Sequence, residues 1–158
     1  MPPVHGRASP VLQIDKNSMH LTPLQSILHA ATRLIYGVRR YDHVTPLLQQ
    51  LHWLSVPERV TFKLCVMVYR SLHGIGPEYF SEDFRVVSEI YSRQRLRSAS
   101  STDVVVPATC RSSLGDRAFL VTGAQAWNVL PPSVTSTPSL SSFRRLLKTF
   151  LFQRKLRQ

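Results

Sequence analysis

Apolar residues recur at steps of three and four over 24–36, where Leu24, Ile27, Leu28, Ala31, Leu34 and Ile35 form one stripe. That spacing predicts an amphipathic helix. Thr22 is its expected cap, with Pro23 at the first helical position and Gly37 as its stop. A second short helix is expected over about 44–51, opened by Asp42, with Leu47, Leu48 and Leu51 on its apolar side. Ser55-Val56-Pro57-Glu58 then matches the S-x-x-E capping box. There the serine hydroxyl takes a first-turn N–H and the glutamate reaches back to the cap. Pro57 costs little at that point, because first-turn N–H groups have no partner inside the helix.

The helix that follows, 56 to about 72, carries Arg59, Lys63 and Arg70 on one stripe and is apolar around most of its circumference. It is the expected central core helix, ended by Gly74 and Gly76. Residues 64–69 are rich in β-branched side chains and resemble a buried strand, but the capping signal and the length favour helix. One or two more helical turns are expected over 77–84.

The pattern changes after Arg85. Val104-Val105-Val106, bounded by Asp103 and Pro107, is strand-like. A second strand is expected over 118–122, after a turn at Gly115-Asp116, then a short helix over 124–130 ending at Pro131-Pro132 and a linker over 133–137. A last amphipathic helix is expected over about 138–155. Its stripe is Leu140, Phe143, Leu146, Leu147, Phe150 and Leu151, with Arg144, Arg145, Lys148, Arg154 and Lys155 off it. Cations near its C-terminal end suit the helix dipole.

These elements predict a mainly α fold with a few short β-strands as a minor α+β component, a small helical domain with a basic C-terminal helix. Residues 1–20 read as a flexible leader, with three prolines and no periodicity. Residues 21–84 form a helical core segment, 85–137 a loop and short-strand segment, and 138–158 the basic helix. Residues 21–158 are expected to make one domain, a size that can bury its own core. Leu51, Trp53, Leu54, Phe62 and Trp127 are its expected core, with the Trp53 region as hub.

Charge changes the picture. Lys and Arg number 20 against 9 Asp and Glu, a formal net charge of +11. The excess is lopsided: 1–90 carries a net +2 and 91–158 a net +9. Such a balance favours a polyanionic partner, RNA or DNA above all, bound non-specifically by charge. Plain solubility charge is the competing explanation.

In an extended chain, alternate residues share a face at about 6.6 Å spacing. Arg93, Arg95 and Arg97 would then form a comb along a phosphate backbone, joined by Arg144, Arg145 and Lys148 as one basic surface. Three arginines simply solvated in a polar loop are the competing explanation, slightly the more favoured. Tyr91, Trp53 and Trp127 are possible stacking platforms, but the two tryptophans stand in apolar surroundings that suit a core.

No enzymatic constellation emerges. Glu82-Asp83 is the only adjacent acidic pair, and neighbouring residues on a helical turn diverge by about 100°. Six histidines and two cysteines contain no C-x2-C or H-x3-H pair, so no metal site or cofactor is expected. There is no Walker sequence, no GxGxxG and no G-x-S-x-G elbow. Cys65 reads as a small buried hydrophobe, unpaired with Cys110. The N-terminus lacks the apolar core of a signal peptide, and the longest apolar run, 64–69, falls far short of the ~20 residues that span a bilayer. An intracellular, non-membrane protein of nucleus or cytoplasm is expected, with no small-molecule substrate.

A longer series of motifs points to origin. Tyr41-Asp42-His43-Val44-Thr45-Pro46-Leu47-Leu48 and Leu51-His52-Trp53-Leu54 are followed by Tyr69-Arg70-Ser71-Leu72-His73-Gly74 and Pro77-Glu78-Tyr79-Phe80. Arg95-Leu96-Arg97-Ser98, Val105-Val106-Pro107 and Gly115-Asp116-Arg117-Ala118-Phe119 come next. Ala126-Trp127-Asn128-Val129-Leu130-Pro131 and Pro138-Ser139-Leu140-Ser141-Ser142-Phe143-Arg144 close the series. In this order and spacing, over about 24–156, the chain resembles the region after the reverse transcriptase domain of LINE-type (non-LTR) retrotransposon polyproteins, of the jockey-like and related clades. The resemblance implies a C-terminal tail that helps grip RNA or target DNA. It implies no catalysis, because the polymerase's aromatic-x-Asp-Asp metal site has no counterpart here and no endonuclease part is present. Two other outcomes stand beside it: a helical module that docks on a protein partner, and an open reading frame with no stable product.

Overall fold

A computed structural model describes residues 21–81, 84–89, 102–108, 115 and 118–156. Its helices in chain order are α1 (Leu21–Tyr36), α2 (Thr45–Gln50), α3 (Val56–Leu72), α4 (Glu78–Ser81), α5 (Phe119–Asn128), α6 (Pro132–Thr135) and α7 (Leu140–Leu156), with a 3-10 turn at Val87–Glu89. The fold is mainly helical. The strand content reduces, among the described residues, to one antiparallel bridge between Val86 and Val104.

Helix α3 is the centre, packed on by α5, α7, α1 and α4. Ser55 occupies the cap position in extended conformation and Pro57 lies in the first turn. The capping box itself does not form. Ser55 makes no side-chain cap bond, and Glu58 Oε2 is buried without a hydrogen-bond partner. A side chain from another helix serves instead: Gln25 Oε1 accepts the Val56 N–H at 2.8 Å. At the other end, Gly74 has φ +64°. The Ile75 N–H reaches the Arg70 carbonyl at 2.8 Å and the Gly74 N–H reaches that of Ser71 at 3.2 Å. Those two bonds make a Schellman stop, and the positive φ explains the glycine. His52, with φ +53°, ends α2 with the same bonds although it carries a Cβ. This reversal turns Trp53 back over α2.

The main core lies between α3, α5 and α7 and includes Cys65, Val68, Tyr69, Val104, Ala124, Trp127, Phe143, Leu147 and Leu151. Tyr69 is its hub. Its ring stacks on Phe143 at 4.4 Å and lies 6.4 Å from Trp127. Its hydroxyl donates to the Thr137 carbonyl at 2.9 Å. Leu54 and Trp127 are buried in this core, and Phe62 packs partly against it. Trp53 belongs elsewhere. It is half-buried over a smaller cluster of Leu28, Val44 and Leu48, with the Arg59 guanidinium 5.7 Å above its ring. Leu51 is likewise only half-buried.

Three further sequence expectations are overturned. Residues 118–122 are not a strand: Phe119–Asn128 is one helix, running through Gly123. Glycine reads as a break because it costs a helix about 1 kcal/mol relative to alanine. Here it permits close packing, since a Cβ would lie 3.2 Å from Val68 Cγ2 and 3.3 Å from Phe84 Cζ. The linker over 133–137 contains a helical turn, Pro132–Thr135, started by Pro132 and holding Val134 in the core. Thr22 does not cap α1, which already begins at Leu21. Gly37 does end it, with φ +62° and a Val38 N–H bond to the Arg33 carbonyl at 3.2 Å.

Burial deprives the Cys65 thiolate of water, and its pKa is pushed up to about 12 from 9.0. The folded thiol therefore stays protonated where the unfolded thiol ionises. Its contribution to stability is intact below pH 9 and declines as pH rises toward 12. The expected slope in that window is about 1.4 kcal/mol per pH unit. Urea midpoints measured at pH 8 and at higher pH should fall further for the native chain than for Cys65→Ala. Parallel declines would show that ionisation of Cys65 is not what the fold resists.

Candidate nucleic-acid interface on the last helix

Helix α7 is built to present cations on one side. At its start, Ser139 Oγ accepts the Ser142 N–H at 3.3 Å and the Ser139 carbonyl accepts the Phe143 N–H at 2.9 Å. Phe143, Leu147 and Leu151 recur at four-residue steps and are buried against α3 and α5, which fixes the helix's rotation. Arg144, Arg145 and Lys148 are consequently all exposed. At 100° per residue they fall within an arc of about 100°, and Lys155 falls in the same arc roughly 16 Å along the axis from Arg144. Thr149 and Gln153 continue the polar side, while Leu146, on the expected stripe, is exposed. No Asp or Glu occurs anywhere after Asp116, so no acidic side chain of α7 offsets the cations.

The C-terminal end of α7 approaches α1. Burial first, then the Arg33 and Lys155 charges, hold the His29 imidazole below its ordinary pKa. Gln25 Nε2 donates to His29 Nε2 at 2.6 Å, a contact that requires the ring nitrogen to be unprotonated. Lys155 and Arg33 thus extend the positive field of α7 toward α1. Sequence spacing already puts Lys155 on the arc of Arg144, but the neighbouring Arg33 is visible only once the helices are packed.

Of the other expected site residues, only the two tryptophans are described, and neither joins this surface. Arg93, Arg95, Arg97 and Tyr91 lie outside the described residues, as do Glu82, Asp83 and Cys110. Trp127 is 2% exposed, and its indole N–H donates to the Thr102 carbonyl at 2.9 Å. It cannot stack on a base. Trp53 has one face against α2 and the Arg59 guanidinium over its ring. Among the described residues, no three His, Cys, Asp or Glu side chains gather as a metal site requires, and no helix is long and apolar enough to cross a membrane.

The residues of the Ala126-Trp127-Asn128 motif hold the fold together. Asn128 Oδ1 accepts the Val104 N–H and Nδ2 donates to the Val104 carbonyl, both at 2.8 Å. The flanking bonds, Val87 N–H to Asp103 at 2.8 Å and Val105 N–H to Arg85 at 2.9 Å, pair the same segment with 85–87. An extended piece of chain is thereby fastened across α5.

Comparison with protein-family models, with curated proteins and with solved structures found no match to this chain.

Proposed function

We propose that this chain is the C-terminal region of a non-LTR retrotransposon polyprotein, the part that follows the reverse transcriptase domain, and that it binds RNA or DNA through charge on the outer side of α7. The observation that carries the binding is the geometry of that helix. Burial of Phe143, Leu147 and Leu151 obliges Arg144, Arg145 and Lys148 to face solvent together. Such a surface contacts phosphates without reading bases, so affinity follows salt rather than sequence. The retrotransposon origin is supported by the ordered motif series. Tyr69, Trp127 and Phe143, one from each of three of its motifs, meet in one aromatic cluster. On this reading the chain is a gripping element with no chemistry of its own.

Filter binding to unrelated single-stranded RNAs and duplex DNAs across a salt series tests the proposal. Affinity should fall steeply with salt, by ~0.7–0.9 log units per log unit of salt for each phosphate contact. The triple variant Arg144→Ala, Arg145→Ala, Lys148→Ala should lower that slope by about 2–3 and weaken all sequences alike. Its melting temperature should hardly change, since all three side chains are exposed. Absence of binding at low salt, or an unchanged slope in the triple variant, would sink the assignment to α7.

A further inference from the structure

The apolar stripe of α1 faces away from the protein. Only Leu28 of its six members is buried, while Leu24 is 52%, Ile27 65%, Leu34 84% and Ile35 55% exposed. These four side chains leave on the order of 500 Å² uncovered, within the range of a monomer's largest apolar patch. We propose that this face is the interface of a symmetric dimer, in which α1 of one chain packs antiparallel on α1 of a second copy.

Three features select a second copy. The first is charge. Every exposed residue of α1 is uncharged, although the chain carries a net +11. No exposed residue of α1 therefore offers a cation to a polyanion or an acidic peptide, or a like charge to keep two copies apart. The second is symmetry. Leu24 and Ile27 lie toward one end, Leu34 and Ile35 toward the other, and the small Ala30 and Ala31 between them. A twofold axis through the alanines sets Leu24 and Ile27 against Leu34 and Ile35 of the second copy. A large–small–large pattern is self-complementary under that operation, as an isologous interface requires. The alanines allow the axes to approach to about 8 Å, the lower limit of helix packing. The third is area. The patch, with the helix surface around it, approaches the ~800 Å² per partner of a standard interface, along a helix of 16 residues or about 24 Å.

Sedimentation velocity on the nuclease-treated full chain over a wide concentration range tests the proposal. A species of twice the chain mass should appear as concentration rises. Added salt should strengthen it by screening repulsion between the two cationic chains, the opposite of its effect on nucleic-acid binding. Ile27→Glu and Leu34→Glu should each weaken association by about 100-fold or more, because a twofold interface meets each substitution twice. Circular dichroism should show both variants folded, since neither side chain supports the core. Ser141→Glu, at an exposed position on α7, should leave the dimer intact. A monomer at every concentration, or a dimer that both α1 variants leave unchanged, would overturn the proposal.

Discussion

Replacing Trp127 by alanine is expected to destabilise the fold by about 3–5 kcal/mol. The indole is 2% exposed and packs beside the stacked pair of Tyr69 and Phe143, at 6.4 and 5.7 Å between ring centroids. Its removal leaves a cavity where α3, α5 and α7 meet, and it deletes the hydrogen bond to the Thr102 carbonyl. With a total stability of roughly 5–15 kcal/mol typical of a domain, such a loss unfolds a measurable fraction of the chain. Trp53→Ala should cost less, about 1–2 kcal/mol, because that ring covers a three-residue satellite cluster and is itself half-buried. Trp127→Phe isolates the indole N–H. It keeps most of the ring volume, and the Thr102 carbonyl belongs to an exposed residue that water can reach. Its expected cost is about 1 kcal/mol. Urea denaturation followed by circular dichroism gives all three values without relying on tryptophan fluorescence. Equal losses for Trp53→Ala and Trp127→Ala would show that the core is not centred where the aromatic cluster lies.

The ranking of the two tryptophans shows what could be read from sequence and what could not. Local signals served well. Ser55, Pro57 and the two glycines after His73 bracket α3, and its observed span, Val56–Leu72, follows them. Spacing also separated Arg144, Arg145 and Lys148 from the stripe of α7, and all three are exposed. Signals that depend on a second element failed. An amphipathic stripe states that a helix has an apolar side, not what covers it, and α1 turns most of that side outward. The capping box is a local motif, yet the N–H of Val56 is taken by Gln25, thirty-one residues away. Gly123 looked like a boundary because its reason for being glycine sits on α3 and at Phe84. Trp53 and Trp127 have similarly apolar neighbours in sequence, and only packing separates the satellite from the core. The site was legible as far as one helix carries it. The approach of Lys155 to Arg33 and His29 belongs to the packing of α7 near α1.

Asn128 tests the part of the structure that has the least local signal. Its side-chain amide matches the backbone of Val104 in both directions, accepting from the N–H and donating to the carbonyl at 2.8 Å each. Val104 is 1% exposed, so neither backbone group has water to fall back on. An unsatisfied buried donor or acceptor costs about 1–3 kcal/mol. Asn128→Leu, which removes both partners, is therefore expected to destabilise by about 2–5 kcal/mol. Asn128→Asp divides the two bonds. A carboxylate still accepts the Val104 N–H, but it has no N–H to donate and sets negative charge beside the Val104 carbonyl oxygen. That variant should lose a large part of the same stability at neutral pH and regain some of it in acid, where a protonated carboxyl can donate again. Hydrogen exchange locates the effect. In both variants the Val104 and Val105 amides should lose protection, along with that of Val87, which bonds to the adjacent Asp103 carbonyl. Amides in the middle of α3 should exchange only as fast as global unfolding permits. If Asn128→Leu leaves Val104 as protected as before, the extended segment is held by the core contacts of Val104 itself, and the asparagine in the Ala126-Trp127-Asn128 motif has no structural part in the fold.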